Sequence, residues 1–533
     1  MVVGIEKFNR TGIFSTIRYL ENISGNKEYG ELLGFTQTEL ENNFEKFMYK
    51  NENESIYNPS CVIASLKNND PNSYFKYLRN SNDNTIGIYT CINQGDVDFL
   101  EAKRYEVFVD KSEMLIYTNC LLEHEGKYIC ISRPRRFGKT ISANMVAAYY
   151  DNNCDAEKTF ADLKITQHSS FLECANKYIV IKITISDYLS KTYDIDRLID
   201  ELKNDVINDL RMQYGYDHPS EDLNKLMHSI NCNTGYKFVV IIDEWDCILR
   251  EFKNKKYWQR KYLDFLRYWF KDKEYLALVY MTGILPIKKY GTHSALNMFK
   301  EYSMLGASQF TEFVGFTEPE VKTLCQQFNR DFNDCKMWYD GYQIKNFGSI
   351  YNPRSVNQYI SSGDLDTYWN KTETYKALCD YIFIEKYGLR DIIINLLAND
   401  SVHINPNTFT NDMETFKSHD DVLTLLVHLG YLTYDVKTSS VRIPNKEIAS
   451  EFITAVNNYQ GWPIVVQAIN NSAKLLFSVL RFDCEAVALG VQKAHFETSI
   501  LQYNDENALS YVISLAFYAA REKDSIVVTA HTP

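Results

Sequence analysis

At 533 residues the chain is long enough for two to four domains, each able to bury its own core. Hydrophobic residues at 45% and charged residues at 24% are the proportions of a soluble globular protein, and a formal charge of −12 excludes coating of nucleic acid through a broad basic surface, though not a local basic groove. The 12 cysteines stand singly, with no CxxC pair, which excludes a disulfide framework and reads as reduced cytosolic thiols.

Residues 1–9 carry Glu6 and Lys7 in place of an apolar leader. The run 512–520 is too short to span a bilayer and reads as a buried helix. A cytoplasmic protein without a membrane partner is expected. An internal repeat follows: LLGFTQTELENNFEKF from Leu32 resembles EFVGFTEPEVKTLCQQF around Gly315, and SIYNPSCVIASL from Ser55 resembles SIYNPRSVNQYI from Ser349. Gly34 and Gly315 are 281 apart and Tyr57 and Tyr351 are 294 apart, so the first copy is 13 residues shorter; the missing stretch includes WYDGY. Two distant copies are not a solenoid. Residues 1–80 read as a partial duplicate of the 300–375 region, without a function of their own.

From Gly87 the pattern alternates between β and α signals. RYEVFVD (104–110) reads as a strand or extended lead-in, and 128–131 as a short apolar strand running into SRPRRFGKT. The spacing predicts a helix over 140–150, and β-branched runs predict buried strands at 178–185, 238–242 and 275–282. Helices are expected at 195–213 and 257–271. Strands alternating with helices imply an α/β core with a mostly parallel sheet. After Leu285 the chain turns mainly helical, with TEPE from Thr317 at capping-box spacing. DDVLTLLVHL (420–429) predicts a helix ending at Gly430, and 431–435 with 440–443 a hairpin, together the outline of a winged helix.

RPRRFGKT (133–140) keeps Gly138, Lys139 and Thr140 of the phosphate-binding pattern GxxxxGK[ST] but has Arg133 at its first glycine position. Gly138 lets backbone N–H groups turn to phosphate oxygens, Lys139 would reach the β and γ phosphates, and the Thr140 hydroxyl would sit on Mg²⁺. Alone, this motif reads equally as a basic surface loop. FVVIIDEWD adds Asp243 at the tip of an apolar strand, as a Mg²⁺ ligand, and Glu244 next to it, as the group that polarises the attacking water. A strand that merely ends in a charged loop is the plain alternative, but the two motifs together point to ATP as ligand. Arg133, Arg136, Phe137, Gly138, Lys139, Thr140, Asp243 and Thr282 are the candidate nucleotide-site residues. Thr140 and Asp243 are the metal ligands, and Glu244 and Lys139 the catalytic pair. Thr282 reads either as a polar sensor or as a strand cap, and Arg135, Lys288 and Lys289 either as phosphate contacts or as solvated cations.

These residues resemble a bacterial family of AAA-ATPase-like proteins that commonly carry a C-terminal PD-(D/E)XK nuclease domain. FVDKSEML at Phe108, SRPRRFGKT, IIDEWD, MTGILPIKKYG, GFTEPEV, WYDGY at Trp338, YNPRSV at Tyr351 and YWNKTETY at Tyr368 occur in the family's order. In that family an arginine-rich loop replaces the first glycine. The resemblance implies a P-loop ATPase core at 87–300, a helical lid region at 301–375 and a helical, winged-helix-like region at 376–485. It implies an incomplete nuclease start at 486–533, with Glu506 at an early glutamate position and no ExK strand, so no nuclease activity is expected. Mg²⁺-dependent ATP hydrolysis is the expected activity; nucleotide-gated DNA contact with little turnover, or an inactive rearranged product, are the alternatives. Homo-oligomerisation and DNA as a partner are left open. WYDGY reads as packing, with Trp338 and Tyr342 buried and Asp340 hydrogen-bonded.

Overall fold

Four runs rich in Ile, Val and Leu and one short polar strand form the centre of the computed structural model. They are β1 (Tyr128–Ser132), β2 (Ile179–Thr184), β3 (Phe238–Asp243), β4 (Leu276–Gly283) and β5 (Lys300–Tyr302). The structure describes residues 35–36, 56–57, 91–214, 222–287, 296–306, 309–344, 347–369, 376–384, 386–397, 400–410, 416–458, 471 and 474–498. The chain divides into two units, Met1–Tyr89 and Thr90–Pro533.

In the second unit the strands lie in the order β2-β3-β4-β1-β5, and every neighbouring pair is parallel. All residues of β1, β3 and β4 are buried, as a sheet covered on both faces requires. The helix after β1, α1 (Lys139–Tyr150), leads the chain across two strands to β2, whereas the steps β2 to β3 and β3 to β4 run back the other way. Right-handed crossovers therefore place α1 on one face and α2 (Ile195–Tyr214), α3 (Leu223–Thr234) and α5 (Lys256–Phe270) on the other; α4 (Cys247–Glu251) is the short turn of helix after β3. In α2, Ile195, Leu198, Ile199, Leu202, Val206 and Leu210 recur at helical spacing and are buried. One consequence bears on the site. Strand β4 lies between β1 and β3, so the loop after β1 and the acid at the tip of β3 share one carboxyl edge with Thr282 between them.

Beyond the core, β6 (Phe316–Thr317), β7 (Tyr342–Ile344) and β8 (Gly348–Tyr351) form a small antiparallel sheet in the order β6-β8-β7, packed with α6 (Glu318–Gln327), α7 (Phe332–Tyr339) and α8 (Pro353–Ser362). These elements build a second apolar cluster around Val321, Leu324, Tyr339, Tyr351 and Ile360. Thr317 and Glu320 form the expected capping box at the start of α6. A third sheet joins β9 (Val402–His403), β10 (Thr433–Asp435) and β11 (Ser440–Arg442), beside α9 (His419–Leu429) and α10 (Lys446–Asn458). Helix α9 and the hairpin lie where the patterns put them, but residues 421–428 are all buried.

In the first unit, Phe35–Thr36 pairs antiparallel with Ile56–Tyr57, Phe35 opposite Tyr57 and Thr36 opposite Ile56. In the second, Phe316 lies opposite Tyr351 and Thr317 opposite Ile350. The two copies of the repeat thus share one strand register.

Several readings change. Residues 104–110 form no strand; turns and bends carry them past the second cluster, with Val107 buried in it. The short strands β5, β6, β7 and β9 interrupt a region that composition renders helical. Trp338 is half-buried under the Lys446 ammonium rather than buried, while Tyr342 is buried as expected. Asp340 is half-buried, with its Oδ1 lacking a hydrogen-bond partner. The run 512–520, Glu506, Lys288, Lys289, residues 370–375 and the nuclease-like segment from 499 lie outside the described residues. Among the described residues no helix is long and apolar enough to cross a membrane.

Candidate nucleotide site

The loop between β1 and α1 must reverse tightly, and it does so with two left-handed residues, Arg136 at φ +66° and Gly138 at φ +88°. Gly138 caps α1, and a Cβ there would meet nothing, so the need for glycine is conformational. Arg136 tolerates the same region at a cost of about 1–3 kcal/mol. At the tip of β3, Glu244 is also left-handed, φ +52°. Two strained non-glycine residues, one in each motif, border one cavity.

That cavity is about 920 Å³ and is lined by Arg135, Arg136, Phe137, Gly138, Lys139, Thr140, Asp243, Glu244, Arg250 and Gly283. Residues of the lead-in segment (Tyr105, Val107, Phe108, Val109), with Met145, Phe313 and Phe316, give it an apolar lobe. Thr140 Oγ1 donates to Asp243 Oδ2 at 2.7 Å, and Thr282 donates to the other carboxylate oxygen. The Glu244 N–H closes the set on Oδ1 at 3.0 Å. Asp243 is 1% exposed, so its charge is held by these donors rather than by water. The Lys139 ammonium is buried and donates to the carbonyls of Arg133 and Pro134 at 3.0 and 2.7 Å; burial pulls it down to about 8, with Asp243 opposing.

Two candidates fall elsewhere. Arg133 is fully buried beneath the loop, with Nη1 donating to the carbonyls of Ser132 and Tyr302, and it does not line the cavity. Burial lowers its guanidinium to about 10. Thr282 is also off the wall of the cavity and acts on Asp243 instead. Gly283 after it is a close-approach glycine: a Cβ would stand 2.6 Å from the Trp245 ring and 2.8 Å from Asp246 Oδ1.

Sequence reasoning missed five residues around the cavity. Asp246 is fully buried, and its Oδ2 accepts from the N–H groups of Ile284 and Leu285 and from Arg250 Nε, which fastens the end of β4 to the turn after β3. The DxxxR spacing in DEWDCILR is the signal that could have found the pair, because it places both groups on one helical face. Arg354, in YNPRSV, lines the cavity from the far side. Lys111, in FVDKS, also lines it and is bonded to both Glu320 oxygens at 2.6 Å, tying the lead-in segment to α6. Asn352 caps α8 with its carbonyl oxygen and donates to the Arg135 carbonyl at 3.3 Å. Arg136 in turn donates to the Tyr368 carbonyl at 2.8 Å. The loop between β1 and α1 is thus held by residues more than two hundred positions away.

Hard oxygen donors suit Mg²⁺, which takes one or two carboxylates and leaves its other positions to phosphate and water. The Thr140 hydroxyl and the Asp243 carboxylate, already in contact, fit that set. Among the described residues no group of three or more His, Cys, Asp or Glu could hold a metal by itself.

An uncharacterised protein in the vnfD 5′ region of Azotobacter chroococcum mcd 1 is 23% identical to this chain over 358 residues. The match takes in 65% of this chain and spans 63% of that protein's length. Among solved structures, a DNA replication initiation factor matches over 56% of this chain and 72% of its own, at 13% identity and a TM-score of 0.23. The ORC2 protein of Aeropyrum pernix, solved in ADPNP and ADP complexes, matches over 66% and 96% respectively, at 11% identity and a TM-score of 0.27. Residues 97–292, which hold the β1 loop, α1 and the tips of β3 and β4, match the family of AAA-ATPase-like domains described as "Predicted AAA-ATPase".

Proposed function

We propose that this chain binds ATP with Mg²⁺ in the cavity at the carboxyl edge of the sheet and hydrolyses it there. The observation that carries the reading is the Thr140–Asp243 contact of 2.7 Å, which joins the first turn of α1 to the acid of β3 beside a buried lysine. The N-terminus of α1 and the loop N–H groups suit a polyphosphate. The apolar lobe suits a purine, and about 920 Å³ is ample for the whole nucleotide. Thr140 and Asp243 would hold the metal ion, which when bound neutralises charge between the β and γ phosphates.

Lys139 gives up its carbonyl partners to the phosphates and regains full charge. Glu244, held over the cavity by its left-handed backbone, orients a water on the γ phosphorus. The new P–O bond forms as the bond to the β,γ-bridging oxygen breaks. The water's proton passes to Glu244 and then to phosphate, leaving ADP and inorganic phosphate. Lys139→Ala is expected to weaken ATP binding at least tenfold. Glu244→Gln is expected to keep binding and lower turnover at least a hundredfold. Fluorescent-nucleotide titration and phosphate release measure the two effects; wild-type levels of both in both variants would refute the reading.

The lid and winged-helix-like assignments belong to this proposal as domain roles, with Phe316 and Arg354 of the 301–375 region bordering the nucleotide. Contact with a DNA groove gains no support from α9, whose buried faces leave none to enter a groove.

A further inference from the structure

Arg250 is a cation of the cavity wall whose chemistry neither motif uses. It lies on α4, four residues after Asp246, with a side chain only 8% exposed, and it lines the cavity beside Lys139, Arg135 and Glu244. Its Nε is committed to Asp246 Oδ2 at 3.1 Å, and Nη1 stands 4.0 Å from Glu251. Asp246 is itself fully buried and fastened to the backbone of Ile284 and Leu285, so the guanidinium is set on a support that belongs to the sheet edge. A buried ion pair made only for stability gains little over a packed apolar pair. Here the pair sits at a cavity already crowded with cations. Burial and then Arg250 lower the Arg135 guanidinium. Repulsion of Arg135 by Arg250 is relieved by a polyanion.

We propose that Arg250 is a cis-acting cation for the transferred phosphoryl group, aimed by Asp246 and supplied by the same chain that holds the nucleotide. The role rests on the ATP-hydrolysis reading above. A guanidinium fixed by its Nε keeps its Nη edge for oxygen, and its charge matters most when negative charge gathers on the γ phosphoryl oxygens. Arginine acting in this way is known to work in cis as well as in trans. The helix dipole, Lys139 and Thr140 attend to the ground-state phosphates. Arg250 therefore acts on the rate more than on the affinity.

The test uses the full chain with Arg250→Gln, Arg250→Ala and Arg250→Lys. ATP affinity is expected to stay within about threefold, while turnover falls about a hundredfold or more in the Gln and Ala variants and less in Lys. Millimolar guanidinium is expected to restore part of the Ala rate. Binding of ADP with aluminium fluoride, a mimic of the phosphoryl in flight, is expected to fall with the rate while ADP binding stays. The Gln variant keeps a donor for Asp246, so it reports on charge even if Ala fails to fold. Turnover unchanged in Gln and Ala, while Glu244→Gln abolishes it, would overturn the role of Arg250 and leave the ATPase reading intact. Equal losses of affinity and melting temperature with no rate-specific effect would mark a structural pair and overturn it too. No ATP binding or turnover by the wild type would remove both.

Discussion

Lys139 carries a cost that the proposed function would repay. Burial pulls its ammonium down from the ordinary 10.5 to about 8. The charged form is therefore strained in the free protein, and under the proposed reading phosphate would relieve it and raise the pKa again. The sign follows: between pH 8 and 9 the free site gives up its proton and the occupied site takes it back. Nucleotide binding in that window is expected to absorb protons, and affinity to fall up to tenfold per pH unit above 8. Calorimetry in two buffers of different ionisation enthalpy measures the uptake; no uptake at pH 8.5 would show that Lys139 does not face the phosphates. Gly283 makes a second residue-scale case. An added Cβ meets the Trp245 ring at 2.6 Å, so Gly283→Ala is expected to cost about 1–3 kcal/mol in denaturant unfolding. Neighbouring Thr282 shows what sequence could not resolve. Its place at a strand tip was legible, but whether it faces the cavity or Asp243 depends on β4 lying between β1 and β3. That is a matter of strand order and not of local pattern.

At the scale of elements, the strands were legible because they are buried on both faces and therefore read as unbroken apolar runs, as in FVVII and YLALVYMT. The strand β5, KEY, has one exposed, one half-buried and one buried residue and carries no such signal. Arg133 misled for a related reason. The motif spacing puts it in the phosphate loop, yet its side chain turns down between the strands to carbonyls of Ser132 and Tyr302, where distant chain supplies the partner. FVDKS is explained at this scale too, since Lys111 binds Glu320 and so anchors the wall of the cavity to α6. The two side chains are 14% and 25% exposed, so removing one partner leaves a largely buried charge. Glu320→Ala is expected to cost about 2–4 kcal/mol, and the double change Lys111→Met, Glu320→Ala to recover part of it. Equal melting temperatures for Glu320→Ala and the wild type would show that the pair holds nothing.

Across the whole molecule, the site is assembled from residues that the chain brings together only by folding: the β1 loop, the tip of β3, the lead-in segment, and Asn352 and Tyr368 beyond the core. The repeat adds a second lesson at this scale. Its sequence offsets of 281 and 294 map the Phe35–Tyr57 pairing onto Phe316–Tyr351. Likeness between the copies thus extends to backbone register. Everything proposed for the molecule requires that Thr140 and Asp243 act on one bound metal-nucleotide. A double-mutant cycle in Mg-ATP affinity, with Thr140→Val, Asp243→Asn and the pair, tests that requirement most directly. A coupling of about 1–3 kcal/mol is predicted, because either change alone already spoils the shared ligand set. Losses that simply add, or affinity that ignores both changes, would contradict a single site.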